Sequence, residues 1–181
     1  YRRLFGDVGI INTNCVIEAN GFHYVFDQQD IYRHQGTGQW QSIAEGRVRR
    51  SIFDTLNVSD AEKCFVAHSP RYQEVLFCYP SRHPDCKWTA VGGCNRAAVY
   101  NYATDTWAFR DLPSVTSATF GSIATTATWG TVTPTWELIG GTWGTQGDGL
   151  DRHVLMVNRP ISGLTARKLL ALDGIDVGTN L

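Results

Sequence analysis

The clearest pattern along the chain is a period of two. In GFHYVFD, residues 21–27, Phe22, Tyr24 and Phe26 fall on one side and His23 and Val25 on the other, as a β-strand requires. Asn20-Gly21 immediately precedes it and suits a two-residue hairpin turn, because both residue types accept positive φ. Asp30–Arg33 and Gln39–Ile43 read as two more short strands, parted by Gly36-Thr37-Gly38. Residues 14–46 therefore predict a four-stranded antiparallel meander. The period then changes. Val48, Ile52 and Leu56 recur every fourth residue with Phe53 beside them, which predicts one short helix, ending near Asn57 and Asp60.

The alternating pattern resumes after the helix. Cys64–His68, Tyr72–Tyr79, Ala98–Tyr102 and Trp107–Arg110 read as four strands, the last stopped by Asp111-Leu112-Pro113. Thr119–Ala124 gives a less distinct strand. His153–Val157 and Lys168–Asp173 read as a strand pair in a third unit. The repeat is about 50 residues long with four strands in each copy, the pattern of β-propeller blades. DIYRHQGTGQWQSI closes the first unit and AVYNYATDTWAFRDLP the second. Each has an aromatic strand, a polar turn and a strand led by Trp40 or Trp107. The expected fold is all-β, about three four-stranded blades over residues 8–46, 62–113 and 114–181, with the helix between the first two. A β-sandwich is the alternative, but the long crossing connections it needs are not apparent.

Composition agrees with a β-rich protein. Six Trp, seven Tyr and eight Phe stand beside 18 Gly, favouring strands and tight turns. Charge is balanced, 16 basic against 17 acidic residues, so net charge does not point to nucleic acid or an anionic membrane. No apolar run reaches the roughly 18 to 20 residues of a spanning helix. The chain starts at Tyr1 without a methionine and stops at Leu181, and it is expected to be part of a longer polypeptide. Its five cysteines cannot all pair internally, which suits assembly in a reducing compartment.

The second unit's ending, AVYNYATDTWAFRDLP, is similar to a kelch-type blade ending. GFHYVFDQQDIYRHQG, GRVRRSIFDTLN, VYNYATDTWAFRDLP, a stretch of Thr-Trp repeats and KLLALDG follow one another in order. That order resembles the propeller domain of short-tailed bacteriophage tail proteins: the nozzle or tail tubular proteins and the packaged-DNA stabilisation proteins. The resemblance covers nearly the whole chain and implies a structural virion protein of the lower tail, made in the host cytoplasm. It further implies a ring, hexameric in such tails, that contacts other tail proteins and transiently touches viral DNA in the channel that retains and ejects it.

Several residue groups are candidates for chemistry. Thr-Trp recurs at 128, 135 and 142 among glycines. Pro134 and the glycines exclude a helix there. Trp129, Trp136 and Trp143, with Trp40 and Trp107, are expected to be packing anchors, since a buried Trp removes roughly 150 to 250 Å² from water. The alternative is a carbohydrate-binding propeller for host-surface attachment, with Trp88, Trp129, Trp136 and Trp143 exposed to sugar rings. Cys78, His83, Cys86 and Cys94 follow the spacing C-x4-H-x2-C-x7-C. They are soft zinc ligands by type, but the set lacks a C-x2-C pair, and idle thiols are the expectation. Arg47, Arg49 and Arg50, on the expected helix, are candidates for an intersubunit or DNA contact, arginine being suited to phosphate. No paired carboxylates, G-x-S-x-G elbow, phosphate loop or dinucleotide fingerprint is found. Neither an enzyme activity nor a cofactor is expected.

Overall fold

A computed structural model describes residues 8–90, 92–122, 152–158 and 169–171. The fold is all-β. The first sheet is the expected meander, with β1 (Val16–Ala19), β2 (Phe22–Phe26), β3 (Ile31–His34) and β4 (Trp40–Ser42) joined in that order. Asn20 and Gly21 have φ of 51° and 74°, so both central residues of the β1–β2 turn are left-handed. This hand matches the twist of the flanking strands and sets the register at Ala19 opposite Phe22.

A short helix, α1 (Arg49–Phe53), follows the meander. The Ala44 carbonyl accepts the N–H groups of Arg47, Val48 and Arg49. At the other end, the Thr55 hydroxyl donates to the carbonyls of Ser51 and Ile52, and the Ile52 carbonyl also accepts the Thr55 and Leu56 N–H groups, so the last turn is capped. Val48, Ile52 and Leu56 all join the core, as their spacing predicts. The chain then makes a 3-10 turn at Val58–Lys63.

The second sheet has six antiparallel strands. In spatial order they are β10 (Leu169–Ala171), β9 (Arg152–Asn158), β8 (Thr106–Ser122), β7 (Cys94–Asn101), β6 (Glu74–Tyr79) and β5 (Phe65–Ser69). The strands expected at 153–157 and 168–173 do pair with each other. They extend the sheet begun by β5, and the boundary expected between residues 113 and 114 falls inside β8. Pro113 does not stop that strand. Ladder pairing to β7 jumps from Asp111 to Val115, so Pro113 sits in a bulge where no N–H is needed. Ser114 turns the chain there with φ of 52°. The bend carries the second half of β8 onto β9, and the sheet curls until β5 approaches β8 and β9.

Two cores result. In β6, Val75, Phe77 and Tyr79 face the first sheet, while Leu76 and Cys78 face the inside of the curl. All five are fully buried. In β7, Ala98 and Tyr100 serve the first core, and Cys94, Ala97 and Val99 the second. Burial on both faces explains why these strands read as nearly continuous apolar runs. Among the described residues, no helix is long and apolar enough to cross a membrane.

Two substitutions check this packing by denaturant unfolding. Phe77→Ala opens a cavity at the contact between the sheets and is expected to cost about 3–5 kcal/mol. Gly93→Ala places a methyl 2.7 Å from the Ser114 carbonyl and 2.8 Å from that of Val115. Backbone cannot yield there as a side-chain tip can, so a loss of about 1–3 kcal/mol is expected.

Candidate functional site

Among the described residues, the seam between the sheets gathers a cluster of aromatic rings. Alternation along β2 and β6 aims their aromatic rings at one another. Phe26 meets Phe77 at 5.8 Å and Tyr79 at 6.3 Å, both edge to face, and Phe53 of α1 at 5.9 Å. Tyr24 lies 6.0 Å from Tyr100. Such pairs add specific geometry to the area they bury. Trp107 closes the seam, 5.0 Å from Tyr100 and 5.8 Å from Phe77. Its indole N–H donates to the Ile43 carbonyl at 3.1 Å, which ties β8 to the end of the first sheet.

A polar clasp sits at the mouth of the seam. Asp105 occupies the left-handed corner of the β7–β8 turn with φ of 53°, a conformation that Asp accepts more readily than most residues. Arg47 Nη1 donates to Asp105 Oδ1 at 2.8 Å, and Nη2 donates to the Asp105 carbonyl. The Tyr100 hydroxyl donates to the same Oδ1 at 2.8 Å. Arg47 first, and Tyr100 second, hold the Asp105 carboxyl below its ordinary pKa. Burial, aided by the bond to Asp105, pushes the Tyr100 phenol up to about 12. The ion pair is exposed and contributes little net stability. Its role is positional: it fixes the α1 turn against the β7–β8 turn.

The other candidate residues are distributed as follows. Arg49 donates from Nε to the Gln29 carbonyl at 2.7 Å and lies 3.9 Å from Glu45. Two of the three arginines thus hold the fold together, and Arg50 stands exposed beside them. Trp40 is 43% exposed and leans on Tyr32 at 5.6 Å, so it is an edge residue where Trp107 is an anchor. Trp88 is 37% exposed. Trp129, Trp136 and Trp143 lie outside the described residues. Cys78 and Cys94 are enclosed in the second core, with the Cys94 thiol on the Lys63 carbonyl. His83 and Cys86 sit in the following loop, near Asp85 and Arg96 respectively. Among the described residues, no three His, Cys, Asp or Glu side chains are placed to hold a metal ion. Burial raises the thiol pKa values of Cys15, Cys64, Cys78 and Cys94, that of Cys15 to about 11.

Sequence reasoning passed over the clasp. Its one visible trace was the Asp-Thr turn of the second unit, and the partner of Asp105 is 58 residues away. The ring contacts of His23 and His68 are likewise set by residues distant along the chain. His23 and His34 are cross-strand partners whose rings stack at 5.0 Å. His34 Nδ1 accepts the Gly36 N–H at 3.0 Å, bracing the β3–β4 turn. His68 Nε2 lies 3.2 Å from the Tyr102 hydroxyl.

No protein-family model matches this chain, and no curated protein does.

Burial, and then the neighbouring His23, lower the pKa of His34, and burial lowers that of His68. A histidine with a lowered folded pKa binds its proton better in the unfolded chain. Stability from these groups is full above the ordinary value of 6.5 and is lost as pH falls through the folded values. Unfolding free energy measured from pH 7.5 to 5 is expected to decline, and less so in a His34→Gln, His68→Gln variant. A separate check on the seam is Trp107→Phe, which removes one hydrogen bond and is expected to cost about 1 kcal/mol by denaturation.

Proposed function

We propose that the chain is a structural component of a bacteriophage tail, a β-propeller portion of a nozzle or tail tubular protein that assembles as a ring around the DNA channel. One observation carries this reading: β6 and β7 are buried on both faces, one face being covered by a separate four-stranded meander. Blades in series cover one another in the way the meander covers the outer face of β6 and β7, while the other face is covered by the curl of their own sheet. The resemblance in the order of blade elements supplies the tail assignment. The arginine geometry supports a role in which DNA passes and is not gripped. Arg47 and Arg49 are engaged within the chain, and tight phosphate binding would oppose release.

A second reading, a carbohydrate-binding propeller for host attachment, is favoured by the exposure of Trp40 and Trp88. Quantitative mass spectrometry of purified tailed particles and electron microscopy of the isolated protein distinguish the two. The structural reading expects the chain in every particle, at copy numbers that fit a closed ring, and rings in the images. Absence of the chain from particles overturns it.

A further inference from the structure

The turn between β2 and β3 is built more firmly than a hairpin needs. Asp27 Oδ1 accepts the Gln28 N–H at 2.7 Å, and Oδ2 accepts the Gly9 N–H at 3.2 Å. The Asp27 N–H donates to the Asp30 carbonyl. Asp30 Oδ1 accepts from the Ile31 N–H at 2.8 Å and the Ser42 hydroxyl at 3.0 Å. From across the chain, Arg49 Nε holds the Gln29 carbonyl. These bonds secure the backbone at the tip. The side-chain amides of Gln28 and Gln29 make no hydrogen bond among the described residues, and both residues are exposed.

Those amides border two adjoining hollows of about 690 and 680 Å³, each within the range of about 300–1,000 Å³ typical of small-molecule sites. The hollows share Gln28, Gln29, Glu45 and Arg49, so they form one groove. Arg50 lines one end and Trp40 the other. The groove is lined by three arginines and four carboxylates (Asp27, Asp30, Glu45 and Asp54), so it has no strong charge.

We propose that this groove binds an oligosaccharide. Its lining supplies donors and acceptors on planar groups: two amides, carboxylates and a guanidinium. Adjacent sugar hydroxyls donate and accept together and suit such groups. Trp40 adds an apolar face with a large contact area for the C–H side of a sugar ring. Balanced charge disfavours a phosphorylated or polyanionic ligand, for which a surplus of cations is needed. The firm backbone fixes where the two amides start, and their side chains are free to turn toward a ligand's hydroxyls. The proposal deepens the carbohydrate-binding reading at Trp40; it uses none of residues 128–148 and does not depend on ring assembly, so it and the tail assignment can fail separately.

The test uses the full chain on a printed array of neutral, uronate-bearing and sialylated oligosaccharides, with heparin and single-stranded DNA as controls. Calorimetry then follows the array binder. At least one neutral oligosaccharide is expected to bind, with Trp40→Ala and Gln29→Ala each weakening it tenfold or more. Trp40→Phe keeps a ring face and should recover most of the binding. Gln28 and Gln29 are exposed at a turn, so Gln29→Ala tests the groove even if Trp40→Ala fails to fold. Circular dichroism and melting curves check each variant. No glycan binding overturns the proposal, as does glycan binding unchanged in folded Trp40 and Gln29 variants. Binding of heparin or DNA alone, lost in Arg50→Ala, also overturns it.

Discussion

The described structure depends on one constraint: β6 and β7 must be covered on both faces. A strand that is apolar on one side can leave the other to water. Val75, Phe77 and Tyr79 point one way and Leu76 and Cys78 the other, and all are fully buried. Transfer of such side chains from water contributes roughly 1.5–3 kcal/mol each, so exposing either face would cost a large part of a typical domain's stability. The curl of the second sheet meets the demand on one side, through Val115 and Met156. The first sheet meets it on the other, through Tyr24, Phe26 and Ile31.

The directional contacts follow from that contact. Two sheets held only by apolar area can slide, since the hydrophobic effect has no preferred geometry. Trp107 N–H on the Ile43 carbonyl, the Val66 N–H on the Asn14 carbonyl at 2.9 Å, and the Arg47–Asp105–Tyr100 clasp restrict the sliding. Asn12 adds a further stitch, its side-chain amide reaching the carbonyls of Ala61, Glu62 and Cys64. None of these needs to be strong. Each costs free energy if its donor or acceptor is left without a partner, and that asymmetry selects one register.

Much of this was legible in the sequence because it is local. The alternation from Phe22 to Phe26, the Asn20-Gly21 turn and the fourfold spacing of Val48, Ile52 and Leu56 are each set by neighbours within a few residues. The misreadings arose where distant partners decide. Pro113 reads as a strand stop, yet the bulge opposite Cys94 and Arg96 removes its need for an N–H. Trp40 and Trp107 occupy matching places in the two unit endings, but β4 is a sheet edge and β8 an interior strand. Arg47, Arg49 and Arg50 look alike in one short run. Their roles separate because Asp105 and the Gln29 carbonyl claim the first two.

Face-to-face packing also determines where function can reside. When sheet faces are consumed by their neighbours, the freedom to vary is left at turns and edges, which contribute little to the core. The β2–β3 turn fits that division. Phe26 and Ile31, which flank it, are fully buried in the first core, while Gln28 and Gln29 between them are exposed. The backbone is held by Asp27, Asp30 and Arg49, so changes in the two amides leave the seam unaffected. Trp40 belongs to the same division. It is exposed because β4 is an edge, and an edge indole offers the apolar face that a partly buried anchor such as Trp107 turns toward its neighbours.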